Sequence, residues 1–315
     1  MPLSLKGNPA RHLATLAGLI TGIVMIQKVQ LPKLAARIPD SVKETSTEKR
    51  LYRWIKNGRI SHETHFLPSI QPLLSAVANT PLMLVIDGST VGRNCLALMV
   101  CLVSKQRALP IAWTVTKGKK GHIPEPMHVQ LVQEVQKLFP ENARVVLLED
   151  GEFDGTNLRT TLAKAGRRYF LRTYKSPLLI WQGHEFSFND VTDCVAQGDR
   201  FYRPNALFTR KRCEPIQATT WWRQDCQEPI HPVANLSSID DACRYYTQRF
   251  KIETFFSDQK GRGFHFHKSH ISDPKRISRL LIAACLAYHW VVHLGVPAIK
   301  NQKRMPSLHS SHGTL

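Results

Sequence analysis

Two short apolar runs, each followed by an acidic residue and a glycine, most constrain the fold of this chain. Residues 82–88 read LMLVIDG and residues 144–151 read RVVLLEDG. Apolar runs of this length that end in turn residues are typical of strands buried on both faces of a sheet. We therefore predict two buried strands that end at Asp87 and Asp150, where a rigid strand exposes a carboxylate at the edge of the sheet.

The elements around these strands predict an α/β fold. Three strands that could pair in sequence are followed by alternating helix and strand, which indicates a mixed sheet flanked by helices. Besides the two runs above, the predicted elements are strands at Cys95–Val103 and Leu109–Val115, a helix at 126–139, a helix near 155–165 and a strand near 167–173.

We divide the chain into five regions. The first region has helical patterns, including a capping-box motif at Thr45–Glu48. The fourth begins with a helix near Asp240 that Ser237 or Ser238 can cap. The regions are a helical part at 1–78, the first part of an α/β core at 79–174, a β-rich insertion at 175–238, core helices at 239–300 and a flexible tail at 301–315.

The charge balance predicts a polyanionic partner. The chain has 43 basic and 24 acidic residues, a net charge of +19. We expect no membrane association, because no basic amphipathic helix stands out. The apolar run Leu13–Ile26 is too short to span a bilayer, and Leu280–Val296 contains two histidines and is typical of a core helix.

The seven cysteines are scattered along the chain. Their number is odd and no CxxC motif occurs, so neither a zinc knuckle nor a disulfide framework is indicated. Reduced thiols of this kind predict a cytoplasmic location.

One predicted helix near residue 50 has a basic side. Such a charge run is usually a solvated face, but the net charge of this chain favours contact with a DNA backbone. The residues are Lys49, Arg50, Arg53 and Lys56.

Residues 246–260 read YTQRFKIETFFSDQK. On a continuous helix, Tyr246, Arg249, Glu253 and Lys260 fall within an arc of roughly 60°. The stretch could be an ordinary amphipathic helix with an ion pair between Arg249 and Glu253. The alternative is a polar stripe that combines one carboxylate with cations and a phenol.

Asp87, Asp150 and Glu253 could meet if the helix packs over the two strand ends. Three converging carboxylates form a site for hard cations. Two Mg²⁺ ions about 4 Å apart are the usual device for in-line attack on a phosphodiester. An aspartate before glycine is more often a turn former, however. The competing acidic residues are Glu149, Glu152 and Asp154 for Asp150, and Asp258 for Glu253.

Together these residues resemble the bacterial insertion-sequence transposases with an Asp-Asp-Glu triad, in the group marked by a Tyr-x2-Arg-x3-Glu-x6-Lys signature. Tyr246, Arg249, Glu253 and Lys260 match that spacing, and the segments VIDGS and LLEDGEFDG resemble the two aspartate motifs. The similarity extends from about residue 10 to about residue 296.

The resemblance implies a ribonuclease-H-like core and cut-and-paste transposition. By that likeness Asp87, Asp150 and Glu253 hold Mg²⁺ or Mn²⁺, two ions in all. Tyr246 and its two basic companions in the signature would contact DNA phosphates near the cut. The enzyme would act on transposon ends and target DNA as a homodimer in a synaptic complex, through a hairpin intermediate, in the bacterial nucleoid.

Aromatic residues of the insertion could stack on a flipped base at the hairpin, or could form the core of a small sheet. They are Trp181, Trp221 and Trp222.

Other hypotheses remain open from the sequence. The histidines of GFHFHKSH could bind a metal, but their spacing favours a basic loop beside DNA. The chain could also be a non-catalytic or inactivated DNA-binding protein, or a nuclease that only hydrolyses. The ending PAIKNQKRMPSLHSSHGTL differs from the helical sequence expected there, as in a truncated copy.

Overall fold

A computed structural model describes residues 6–39, 41–118, 123–151, 156–208 and 213–302. The predicted tail beyond residue 302 and the competing acidic residues Glu152 and Asp154 lie outside these ranges.

The helices and strands follow the predicted order closely. The helices are α1 (Asn8–Ile26), α2 (Leu31–Ala35), α3 (Glu44–Lys56), α4 (His62–His65), α5 (Leu67–Val77), α6 (Glu125–Gln136), α7 (Thr156–Lys164), α8 (Phe188–Thr192), α9 (Ile239–Tyr246), α10 (Lys251–Gln259) and α11 (Pro274–Gln302). The strands are β1 (Leu82–Val91), β2 (Cys95–Ser104), β3 (Arg107–Lys117), β4 (Val145–Glu149), β5 (Arg168–Thr173), β6 (Leu178–Trp181), β7 (His184–Ser187), β8 (Arg200–Phe208), β9 (Cys213–Trp221) and β10 (His231–Ala234).

The strands form one sheet in the order β3-β2-β1-β4-β5-β10-β9-β8-β6-β7. β1, β2 and β3 pair antiparallel, and β4 and β5 run parallel to β1. Three antiparallel strands followed by two parallel ones, with helices on both faces, make a ribonuclease-H-like core. The predicted fold class, a mixed sheet flanked by helices, is confirmed by this topology.

The strand-rich stretch after β5 continues the same sheet. β10 pairs antiparallel with β5, with Ala234 opposite Phe170, and β9, β8, β6 and β7 follow outward. This stretch is therefore joined to the first five strands by backbone hydrogen bonds between β10 and β5.

The prediction that β1 ends at Asp87 is wrong. β1 continues to Val91, because Gly88 and the residues after it keep pairing with β2 up to the turn. That turn uses Gly92 and Asn94, both of which have positive φ. A Cβ on Gly92 would lie 2.5 Å from the carbonyl oxygen of Ile271, so glycine is required there.

Helices cover both faces of the sheet. On one face, His128 of α6 lies against Glu149 of β4, and both side chains are fully buried. On the other face, α10 and α11 pack over β1 and β3. Cys101 of β2 is paired with Val85, and Asp87 lies two residues further along β1, so both side chains are on one face. Ile86 and its partner Glu149 are on the α6 face, so Asp87 lies on the face that α10 and α11 cover.

The N-terminal helices are docked on α11. Arg279 of α11 donates to the carbonyl oxygens of Ile55 and Ile60 at 3.0 and 3.2 Å. Trp54 donates to the carbonyl oxygen of His12 at 3.0 Å, which joins α3 to α1. The predicted capping box is wrong, because α3 already begins at Glu44 and its N-cap has no side-chain hydrogen bond.

Two helices are long and apolar enough to cross a membrane by length and composition alone. They are α1 and residues Pro274–Gly295 of α11, with 28% and 56% of the apolar stretch buried inside the protein. The packing of α11 against β3 accounts for much of its apolar character, as expected for a core helix.

Candidate active site

The register of the sheet brings two candidate carboxylates together. Ile86 of β1 is paired with Glu149, the last residue of β4, so Asp87 and Asp150 occupy the next position on neighbouring parallel strands. Neighbouring strands lie about 4.8 Å apart. Because paired residues point to the same face, both aspartates project on the side that α10 and α11 cover.

The two aspartates differ in exposure. Asp87 is buried, and its Oδ1 accepts a hydrogen bond from the backbone N–H of Gly88 at 2.6 Å. The Asp150 side chain is 30% exposed. The site is thus closed over Asp87 and open to solvent beside Asp150.

Both carboxylate oxygens of Asp150 have partners. Oδ1 lies 3.2 Å from Nη1 of Arg172 and accepts from the Tyr246 hydroxyl at 3.4 Å, and Oδ2 lies 3.1 Å from Nη1 of Arg249. Three donors from two separate parts of the chain therefore converge on this one carboxylate.

Arg249 links Asp150 to the third candidate. Its Nη2 donates to Oε1 of Glu253 at 2.9 Å, while its Nη1 lies on Asp150. The guanidinium is only 3% exposed and lies 4.3 Å from the ring centroid of Phe250. Burial by itself would lower the pKa of Arg249, but the two carboxylates outweigh it and the pKa is raised. Arg249 is thus a buried, charged bridge.

The backbone explains why Tyr246 and Arg249 both reach Asp150. Residues 246–260 are not one continuous helix, so that prediction is wrong: α9 ends at Tyr246 and α10 begins at Lys251. Between them the N–H groups bond three residues back, as from Arg249 to Tyr246 and from Glu253 to Phe250. With three residues per turn, side chains at i and i+3 eclipse, which aligns Tyr246 with Arg249.

Tyr246 is buried against Asp150. The residue is 1% exposed, and its ring packs on Phe170 of β5. Burial, followed by the charge of Asp150, raises the pKa of the hydroxyl, so it stays protonated and donates to the carboxylate.

The predicted N-cap of α9 is confirmed, because Ser238 accepts from the backbone N–H of Asp241.

The other two signature residues lie along α10. Glu253 is in its first turn, with a 52% exposed side chain. Lys260 is the C-cap residue, about 10 Å further along the helix axis. Glu253 and Lys260 therefore lie at opposite ends of α10.

The competing acidic residues lie elsewhere. Glu149 points to the opposite face of the sheet, where its Oε1 lies 3.8 Å from Nδ1 of the buried His128. Burial lowers the pKa of His128 to about 4, so the imidazole is neutral near pH 7. Asp258 on α10 is paired with Arg107 at 3.1 Å. Neither residue faces Asp150.

The carboxylates suit a hard divalent cation, but a guanidinium stands between two of them. Carboxylate oxygen is the donor that Mg²⁺ and Mn²⁺ prefer, and Arg249 shows that a positive charge is stable between Asp150 and Glu253. Among the residues that the structure describes, no three acidic, histidine or cysteine side chains already form a metal-binding cluster. His265, His267 and His270 are among the described residues and belong to no such cluster.

Arg172 is a site residue that the sequence analysis missed. Leu171 of β5 is paired with Glu149, so Arg172 stands beside Asp150 for the same reason that Asp87 does on the other side. The signal in the sequence was a basic residue on β5, one position after the residue that pairs with the end of β4.

A cleft of about 590 Å³ opens beside Asp150. It is lined by Arg172, Tyr174 and Lys175 from the end of β5, and by Asn189, Glu228 and His231 from the insertion. Tyr174 is 58% exposed. The cleft is large enough for a nucleotide, and it extends from Asp150 to the insertion.

The basic face of α3 lies at the surface. Lys49, Arg53 and Lys56 are exposed, and Arg50 is half-buried. Arg50 and Arg53 line a groove of about 800 Å³ between α1 and α3, together with Arg11 and other residues.

The three predicted tryptophans do not form one platform. Trp181 donates from Nε1 to the carbonyl oxygen of Pro204 at 3.0 Å, whereas Trp221 pairs with Arg200. These two partners are four positions apart on β8, about 13 Å along the strand. Trp222 donates to the carbonyl oxygen of Cys226 at 3.1 Å. All three rings are half-buried.

A ribonuclease-H-like sheet with carboxylates on β1, after β4 and on a helix beyond an insertion defines a class of enzymes that process nucleic acids. Residues 85–290 match the family described as the transposase DDE domain. The match spans about two thirds of the chain and contains Asp87, Asp150 and Glu253. The chain belongs to this family.

Solved structures with similar folds are only distantly related in sequence. A piggyBac transposase in a synaptic complex with hairpin DNA is 13% identical, with 94% of this chain and 70% of that chain covered and a TM-score of 0.48. Endonuclease V of Ciona intestinalis is 14% identical (61% and 95% covered, TM-score 0.34). The NurA nuclease of Sulfolobus solfataricus is 11% identical (84% and 97% covered, TM-score 0.32). No curated protein sequence matches the chain.

Proposed function

We propose that this chain is a metal-dependent DNA transposase that cuts DNA at the ends of a mobile element and transfers the freed strand to target DNA. The observation that supports this most is the link between Asp150 and Glu253 through one buried guanidinium, with Asp87 at the matching position of the neighbouring strand β1. Membership of the transposase DDE domain family supports the same reaction class.

In this proposal, Asp87, Asp150 and Glu253 hold two Mg²⁺ or Mn²⁺ ions. Bound divalent ions activate the attacking oxygen and stabilise the leaving oxygen of a phosphodiester. The protein contributes rigidity, because Asp87 lies within a strand and Asp150 directly follows one.

The cationic groups around the carboxylates bind and orient the DNA strand. A guanidinium can form two parallel hydrogen bonds to a phosphate, which suits Arg249 and Arg172, and Lys260 supplies a point charge. Tyr246 keeps Asp150 in position through its hydroxyl, which would have to leave that carboxylate in order to donate to a phosphate. Held in this way, the scissile bond faces the carboxylates.

DNA outside the cut is bound by basic surface. The face formed by Lys49, Arg50, Arg53 and Lys56 contacts the backbone of the element end, in line with the net charge of +19. The cleft beside Asp150 receives the strand next to the cut, and Trp181 is the tryptophan best placed for stacking, since Arg203 already lies 4.4 Å from its ring. A hairpin intermediate, a homodimeric synaptic complex and action in the cytoplasm at the bacterial nucleoid belong to the same proposal.

Incubation with DNA that carries the flanking ends of the element tests this function. With Mg²⁺ we expect nicks at the ends and joined products from a labelled donor strand, both lost in Asp87→Ala and Glu253→Gln. Lys164→Ala on α7, away from the site, is the control. If the wild-type protein binds DNA and never cuts it, the proposed enzyme activity is wrong and the chain is a DNA-binding protein. If nicks form without joined products, strand transfer is wrong and the chain is a nuclease.

A further inference from the structure

Two carboxylates of the candidate site are paired with the protein's own cations. Arg249 spans Asp150 and Glu253, and Arg172 and Tyr246 occupy the remaining oxygen of Asp150. A divalent ion that binds Asp150 therefore competes with hydrogen bonds that already exist.

The competing groups are suited to bind something else. A guanidinium that is 3% exposed needs an anion, since leaving a buried charge without a partner is costly. Arg172 has a side chain that is 41% exposed, and it lines the cleft beside Lys175. A DNA phosphate in the cleft offers Arg172 a replacement for Asp150 directly. Arg249 lies behind Asp150, outside the cleft lining, and reaches the phosphate when its bridge to that carboxylate opens.

We propose that Arg249, assisted by Arg172, is a latch that keeps divalent ions off Asp150 until DNA phosphate draws the arginines away. The inference rests on the proposed function and adds its regulation: the bound strand makes the metal site available. The free protein binds divalent ions weakly, so it does not assemble an active site without DNA.

The latch makes metal binding and DNA binding mutually dependent. If DNA raises the affinity of the site for metal by some factor, metal raises the affinity for DNA by the same factor. Couplings between protein sites usually lie between about 5-fold and 150-fold. We expect a coupling of at least about tenfold. The phosphate takes over the charge-assisted hydrogen bonds of the arginines, and the metal takes the oxygens of Asp150 that the arginines leave.

Mn²⁺ binding to the full chain tests the latch without using catalysis. Free Mn²⁺ is measured by electron paramagnetic resonance, with and without a blunt-ended duplex of arbitrary sequence at low salt. The Asp150→Asn variant, treated identically, gives the background from DNA and from other sites. For the wild type we expect Mn²⁺ affinity to rise about tenfold or more when the duplex is added.

Removing the latch should reverse the pattern. Arg249→Gln should bind Mn²⁺ about tenfold more tightly than the wild type without DNA, and should gain little when DNA is added. Arg172→Ala, at a more exposed position that folding tolerates, should show the same change at smaller size.

Two results would overturn the latch, and they have different consequences. Equal Mn²⁺ affinity in the wild type with and without DNA, unchanged in both arginine variants, removes the latch and leaves the proposed function intact. Wild-type Mn²⁺ binding that never exceeds the Asp150→Asn background removes both the latch and the proposed metal site.

Discussion

Replacing Asp150 with Asn should destabilise the metal-free protein. In a cluster of carboxylates built for metal, removal of one negative charge ordinarily relieves repulsion and stabilises the fold. Here the opposite is expected, because Arg249 is buried and Asp150 is one of its two counter-ions. The Asn amide can still accept through its oxygen, but its NH₂ group cannot replace the second oxygen.

The expected size follows from the burial of the partners. Removing one partner of a buried ion pair costs about 3–5 kcal/mol. Asp150 is 30% exposed and Glu253 remains on the other side of the guanidinium, so we reduce this to about 2 kcal/mol. For a chain of this size, that lowers the melting temperature by about 3 °C.

Thermal and urea unfolding in the presence of a chelator measure the effect. Glu253→Gln is the matched control, since its side chain is 52% exposed and its loss should cost less than about 1 kcal/mol. A metal-free Asp150→Asn protein that is more stable than the wild type would refute the reasoning, because it would mean that carboxylate repulsion outweighs the Arg249 bridge.

Further predictions concern pH and salt. Burial, with smaller effects of Lys175 and Arg172, lowers the pKa of His231 to about 4, whereas an unfolded histidine titrates near 6.5. The unfolded chain therefore binds the extra proton, and the free energy of unfolding should fall as the pH drops from about 6.5 to about 4; His231→Gln should flatten this slope in urea titrations at several pH values, and an unchanged slope would exclude His231 as its source. Replacing Lys49 and Arg53 with Ala should reduce the slope of log K against log salt for DNA binding by about 0.9 per residue. An unchanged slope would exclude the α3 face from the interface.

The buried strands were predictable because strands covered on both faces need continuous apolar sequence. The extent of β1 was not, since Gly88 and the polar residues after it read as a turn. They remain in the strand because β2 pairs with them, and the turn forms at Gly92, where the backbone must approach Ile271 closely. Contacts with residues far along the chain thus determine where β1 ends.

The site was predictable in its residues and not in its contacts. The spacing of Tyr246 and Arg249 marks them as a pair. A continuous α-helix, as assumed from the sequence, does not contain the tight turn that aligns both side chains with Asp150. Arg172 became visible only when β5 was placed beside β4, because register decides which strand residues become neighbours. Pairing partners of this kind arise from tertiary structure and have no local sequence signature.

The most direct test of the metal site is an anomalous difference map from crystals of the protein with DNA and Mn²⁺. The account predicts Mn²⁺ peaks at direct coordination distance from carboxylate oxygens of Asp87, Asp150 and Glu253, with Arg249 on a DNA phosphate. Peaks that avoid these carboxylates, with Arg249 still bridging Asp150 and Glu253 in the DNA complex, would contradict it.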